Sequence, residues 1–201
     1  MNTNKLYHKE LEKVINNEEL KVKYFDSYSV KSIIEFLKKS HREFTRKSIP
    51  KIEQNFLILV KNHPNNNRLQ TLFNLFIKFE IDFKHHISIE EKTLFPYTET
   101  LYRASIANSL QALLLIHFGE YSVSDFANSH ENNECYLSEI IHLLEHQTGF
   151  ENNIAFNILL NQMTQLNNEI KIHSWIEDNV LVKKVKEIEQ AVSQFVGVSK
   201  N

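Results

Sequence analysis

Residues 68–96 read RLQTLFNLFIKFEIDFKHHISIEEKTLFP, and the spacing of their apolar side chains decides the kind of protein this is. Leu72, Phe76, Phe79, Phe83, His86 and Glu90 follow one another in steps of three and four, the period that places side chains on one face of an α-helix. That face is apolar for several turns and then ends in an imidazole and a carboxylate. Counting back from the neighbouring His85 by three and seven gives Asp82 and Lys78, a polar face, so His86 points inward and His85 outward. The spacing predicts a helix from about Arg68 to Phe95, stopped by Pro96.

The same combination recurs along the chain. His41, His86, His130 and His173 are separated by 45, 44 and 43 residues, and His86 and His173 each carry a glutamate four positions on, at Glu90 and Glu177. Residues four apart stack on one helix face. Intervals this even return an up-and-down chain to one height on successive helices.

The other helices follow from the same pattern. A first helix is predicted from Val30 to about Lys61, with Ile34, Leu37, His41 and Phe44 inward, kinked but not ended at Pro50. His63-Pro64-Asn65-Asn66-Asn67 is the clearest turn signal. Residues 97–121 read as a long connection with an extra helix around Ile106 to Phe118. A third helix begins near Ser122 or Ser124, with stripe Phe126, His130, Leu137, Ile141, Leu144, and ends around Thr148-Gly149. The fourth runs from about Asn152 to Phe195, with Leu159, Met163, Leu166, Ile170, His173, Glu177 and Val180 on one face. His41 lies 23 residues before Pro64 and His86 22 after it, so both are roughly 33–35 Å from that turn at about 1.5 Å per residue.

These readings give an all-α, antiparallel up-down-up-down four-helix bundle over residues 29–196. A short N-terminal arm or helix over 1–28, ending near the N-cap candidates Asp26-Ser27, precedes it, and a flexible tail over 197–201 follows. One domain suits 201 residues, and three glycines with three prolines leave little punctuation for strands. A formal net charge of −2 with mixed signs gives no electrostatic footprint for nucleic acid or an anionic membrane. The longest apolar run, Ala112 to Ile116, is too short to span a bilayer. A lone Cys135 and a polar start point to a reducing, cytoplasmic setting.

A single inward histidine is usually a hydrogen-bonded core residue. Four imidazoles and two carboxylates in one layer of a Phe/Leu/Ile core are another matter, since buried charges without a partner or a metal cost several kcal/mol each. One two-metal carboxylate site satisfies all six groups. His-x-x-x-Glu alone is weak, because His8 and Glu12 repeat it on the arm. Glu134, four after His130, stands as a residue that supports a ligand from behind or as an alternative ligand. His142 and His146 lie 12 and 16 residues beyond His130, roughly 18 and 24 Å along a helix, and take a surface or helix-end role. His63 and His117 fall at or near loops. Cys135 lies far around the helix from His130 and reads as a small packing residue.

With these residues in place, the chain resembles the hemerythrin-like (HHE cation-binding) proteins, closest to the repair-of-iron-centres branch. His86-Ile87-Ser88-Ile89-Glu90-Glu91-Lys92-Thr93-Leu94-Phe95-Pro96 is similar to the family's His-x-x-x-Glu-Glu-x-x-Leu-Phe-Pro. His173-Ser174-Trp175-Ile176-Glu177 matches its fourth helix, though Val-Leu-Val-Lys follows where the family often has Phe-Pro. Phe36 to His41 with Ile49-Pro50 is similar to the first ligand helix, and Ser129-His130-Glu131 matches by spacing. The branch's N-terminal cysteine-bearing module has no counterpart in residues 1–28.

The resemblance implies a non-haem centre of two iron ions with an oxygen bridge. His41, His86, His130 and His173 would be its terminal ligands, and Glu90 and Glu177 its bridges. Imidazole and carboxylate ligands suit iron, manganese or zinc, and the resemblance favours iron over the other two. It implies a role in nitrosative or oxidative stress, either repairing iron–sulfur centres or reducing nitric oxide. The implied partners are oxygen, nitric oxide or peroxide, and damaged iron–sulfur proteins. The alternative is an oxygen or nitric oxide binding or sensing module without turnover.

Overall fold

The structure, a computed structural model, describes residue 25, residues 27–106, residues 123 and 126, residues 134–150 and residues 152–198. Among these residues every regular element is helical: α1 (Val30–Glu43), α2 (Ile49–Asn62), α3 (Asn67–Ile89), α4 (Phe95–Ile106), α5 (Glu134–Glu145), α6 (Ile154–Ile176) and α7 (Lys183–Val198). Three π-helical segments, Phe44–Ser48, Glu90–Leu94 and Glu177–Val182, join α1 to α2, α3 to α4 and α6 to α7. His130, the extra helix expected around Ile106 to Phe118, the start of the third helix and most of the 1–28 arm lie outside the described residues.

The starts of the helices are set by side-chain caps. Ser29 accepts from the Ser32 backbone N–H at 3.1 Å, Asn66 from that of Leu69 at 2.9 Å, and Asn153 from that of Phe156 at 3.0 Å, each satisfying a donor that the first turn leaves over. The first cap is therefore Ser29, not the expected Asp26-Ser27. The third long helix ends at Glu145, before the expected Thr148, because Gln147 N–H turns back to the Leu144 carbonyl. Gly149 then takes φ +87°, a conformation that suits glycine.

Pro96 does not stop the second helix. The Phe95 N–H bonds to the Glu90 carbonyl, five residues back, and the helix continues to Ile106. The Ile49 N–H bonds to the Phe44 carbonyl in the same way ahead of Pro50. Each proline follows a widened turn that displaces the carbonyl its ring would otherwise meet, so the helix passes through.

The helices pack as a closed ring in which α2 lies against α3 and α6, and α5 against the same two helices. Two apolar clusters fill the interior. One contains Phe44, Phe56, Phe76, Phe83, Leu137, Leu166 and Ile170, the other Ile34, Leu37, Leu94, Phe95, Ile176 and Val180. Along the first helix Leu37 belongs to one cluster and Phe44 to the other, with His41 between. Glu90 falls between Ile87 and Leu94, and His173 between Ile170 and Ile176. A polar layer thus separates two hydrophobic cores. Lys38 on α1, 3.0 Å from Glu99 on α4, ties the helices together just beyond that layer.

Candidate metal centre

Five of the six residues singled out from sequence meet in this layer: His41, His86, Glu90, His173 and Glu177. The sixth, His130, lies outside the described residues. His41, Glu90, His173 and Glu177 are all buried, at 1%, 0%, 5% and 0% exposure, and the His86 side chain is 17% exposed. Each comes from the apolar stripe expected to carry it. Helical period places each on the inner face of its own helix.

The contacts are specific. Glu90 Oε2 lies 2.9 Å from His41 Nε2, while Glu90 Oε1 lies 2.5 Å from His86 Nε2. The two oxygens of one carboxylate therefore face histidines on two different helices. His41 Nε2 is 3.1 Å from His173 Nε2, and His173 Nε2 is 3.9 Å from Glu177 Oε2. Two triads result, His41–Glu90–His173 and His86–Glu90–Glu177, each with ligand atoms within 4.8 Å of one another, and Glu90 belongs to both.

This donor set fits divalent cations of the iron, manganese or zinc kind. Neutral imidazole nitrogen and carboxylate oxygen are their ligands, and carboxylates shared between helices are the habit of two-metal bundle sites. A pair of carboxylates sunk in an apolar interior is also a costly arrangement without positive charge nearby.

Aromatic rings wall the layer on both sides. Phe95 stacks on His41 with centroids 5.5 Å apart, Phe44 meets His173 edge-on at 5.6 Å, and Phe83 stacks on His86 at 6.5 Å. They hold the imidazoles in fixed orientation and keep the surroundings of low polarity. A groove of about 390 Å³ between the first and fourth long helices, lined by Lys39, Glu43, Phe44, Lys51, Leu166 and His173 among others, leads from solvent to this layer.

Two features escape the sequence reading. Glu91 Oε1 accepts a hydrogen bond from His41 Nδ1 at 3.0 Å, although Glu91 is 43% exposed. The second is the π-helical character of the chain at the site, with segments starting at Glu90, at Glu177 and three residues after His41. Glu177–Val182 has no proline behind it, so proline is not what the three share. They share the site, and π segments inside α-helices are frequent at functional sites.

The other described histidines stay apart. His85 is exposed, as are His142 and His146, whose rings sit 4.3 Å apart at the end of α5. His63 lies in the turn after α2 against Phe150. No family model, curated protein or solved structure matches the chain. No described helix is long and apolar enough to cross a membrane.

Proposed function

We propose that this layer is a two-metal carboxylate centre of the hemerythrin-like kind, holding two iron ions in an up-down-up-down bundle, with His130 as the fourth imidazole ligand that the sequence leads one to expect. The observation that carries this reading is the division of Glu90 between two ligand triads, which suits one carboxylate shared by two cations. His41 and His173 would lie at one ion and His86 at the other, with Glu177, the second bridge that the resemblance implies, in the triad of His86 and 3.9 Å from His173. When bound, such a pair supplies open coordination positions and electrons to oxygen, nitric oxide or peroxide. The protein would act in nitrosative or oxidative stress, repairing iron–sulfur centres or reducing nitric oxide in a reducing, cytoplasmic setting.

The chain's own groups orient and seclude. Phe44, Phe83 and Phe95 exclude bulk water from the imidazoles, and the groove toward His173 offers a small ligand a path. A binding or sensing role without turnover has one observation in its favour. Among the described residues, the buried titratable groups of the layer all belong to the ligand set, since buried Glu80 lies elsewhere and bonds Lys84. Among the described residues, no further buried acid or base lies in the layer.

Metal analysis of protein purified without a nickel column tests the centre, with an expected content near two irons per chain. Content well below one ion per chain, unchanged by reconstitution with ferrous iron, would remove the reading. Catalytic loss of nitric oxide under reducing conditions then separates the enzyme from the binding module, which takes up its ligand only stoichiometrically.

A further inference from the structure

We propose that Glu91 is a positioning residue of this centre, fixing the ring of His41 so that Nε2 faces the metals. The inference rests on the two-metal reading above. Glu90 and Glu91 are neighbours in sequence, yet they address opposite edges of one imidazole: Glu90 Oε2 is 2.9 Å from Nε2 and Glu91 Oε1 is 3.0 Å from Nδ1. A ring gripped at both nitrogens, with Phe95 stacked on its face at 5.5 Å, cannot flip without losing contacts.

The chemistry follows from the donor inventory. A carboxylate only accepts, so the Nδ1–H donates to Glu91, and a neutral imidazole with its proton on Nδ1 presents a lone pair at Nε2. That lone pair is what a cation needs, and a carboxylate behind a ligating histidine raises its basicity. The backbone explains how Glu91 gets there. More residues share one turn in a π segment, so consecutive side chains diverge less than on an α-helix, and the segment begins at Glu90. The tandem Glu-Glu thus divides its work, the first residue facing the metals and the second setting the ligand's tautomer.

The test uses Zn²⁺, a diamagnetic probe, with the full chain and its Glu91→Ala, Glu91→Gln and Lys92→Ala variants. Affinity is read by competition with a chromophoric chelator, and the imidazole Nδ1–H by nitrogen–proton NMR, assigned by its loss in His41→Ala. The wild type is expected to show a solvent-protected His41 Nδ1–H. Glu91→Ala is expected to lose that protection and to bind zinc about 10- to 100-fold more weakly, with Glu91→Gln intermediate and Lys92→Ala unchanged. If Glu91→Ala does not fold, Glu91→Gln, which keeps length and shape, carries the comparison. Unchanged affinity and an unchanged Nδ1–H signal in the Glu91 variants overturn the inference and leave the two-metal reading standing. A wild type that binds no zinc and no iron overturns both.

Discussion

His41 and His173, 132 positions apart in the chain, face each other with their Nε2 atoms 3.1 Å apart. Two lone pairs do not settle at that distance unless a proton or a cation stands with them. A cation bound by both rings stabilises the folded chain by mass action, by about 2.7 kcal/mol at a free concentration 100 times Kd. Chelation is therefore expected to lower the wild-type Tm by roughly 5–10 °C, and to move the His86→Ala/His173→Ala variant far less. Equal shifts in both, read by calorimetry, would mark these residues as ordinary core.

The two glutamates are not equivalent. Glu90 belongs to both triads and Glu177 to one, so Glu90→Ala is expected to reduce metal content at both positions. Glu177→Ala is expected to retain more. Metal-to-protein ratios by mass spectrometry check the order, and full occupancy in Glu90→Ala would exclude it as a shared ligand.

The prolines are expected to be dispensable. Glu177–Val182 is π-helical with no proline behind it, so Pro50→Ala and Pro96→Ala should leave the widened turns and the metal content in place. Loss of metal in a folded Pro96→Ala variant would show that the proline, and not the site, holds that turn open.

Core substitutions away from the layer should act on stability alone. Phe76 is fully buried in the cluster that also holds Phe56 and Leu166, and Phe76→Ala is expected to cost about 3–5 kcal/mol. Metal per folded chain should not change. Gly149→Ala meets no atom within 4 Å, yet φ +87° makes it strained, at about 1–2 kcal/mol. Urea titrations of both variants give the numbers.

Much of this could be read in advance because the period of 3.6 residues is rigid. Once Phe83, His86 and Glu90 share a stripe, their meeting with His41 needs only two helices of similar length joined by a short turn, and His173 joins them from a helix whose own stripe carries it inward. The turn at His63–Asn66 supplies one such joint. The π segments were not readable, because one added residue in a turn leaves no mark in composition, and Pro96 suggested an end where the chain continues. Glu91 was hidden for a related reason. Angular counting on a regular helix sends it away from Glu90, and neither the widened turn nor the reach of its side chain enters that count.

The polar layer splits the hydrophobic interior in two, while, among the described residues, three long helices run through it. Each end of the bundle has its own apolar set, and what joins the ends is backbone and whatever the layer contains. A bound cation would make the two halves open as one cooperative unit. Without one the layer would be a seam across which either half could open alone at lower free energy, and amide exchange is expected to divide into two classes along the same helices. Occupancy at the centre would then be felt at both ends of the bundle.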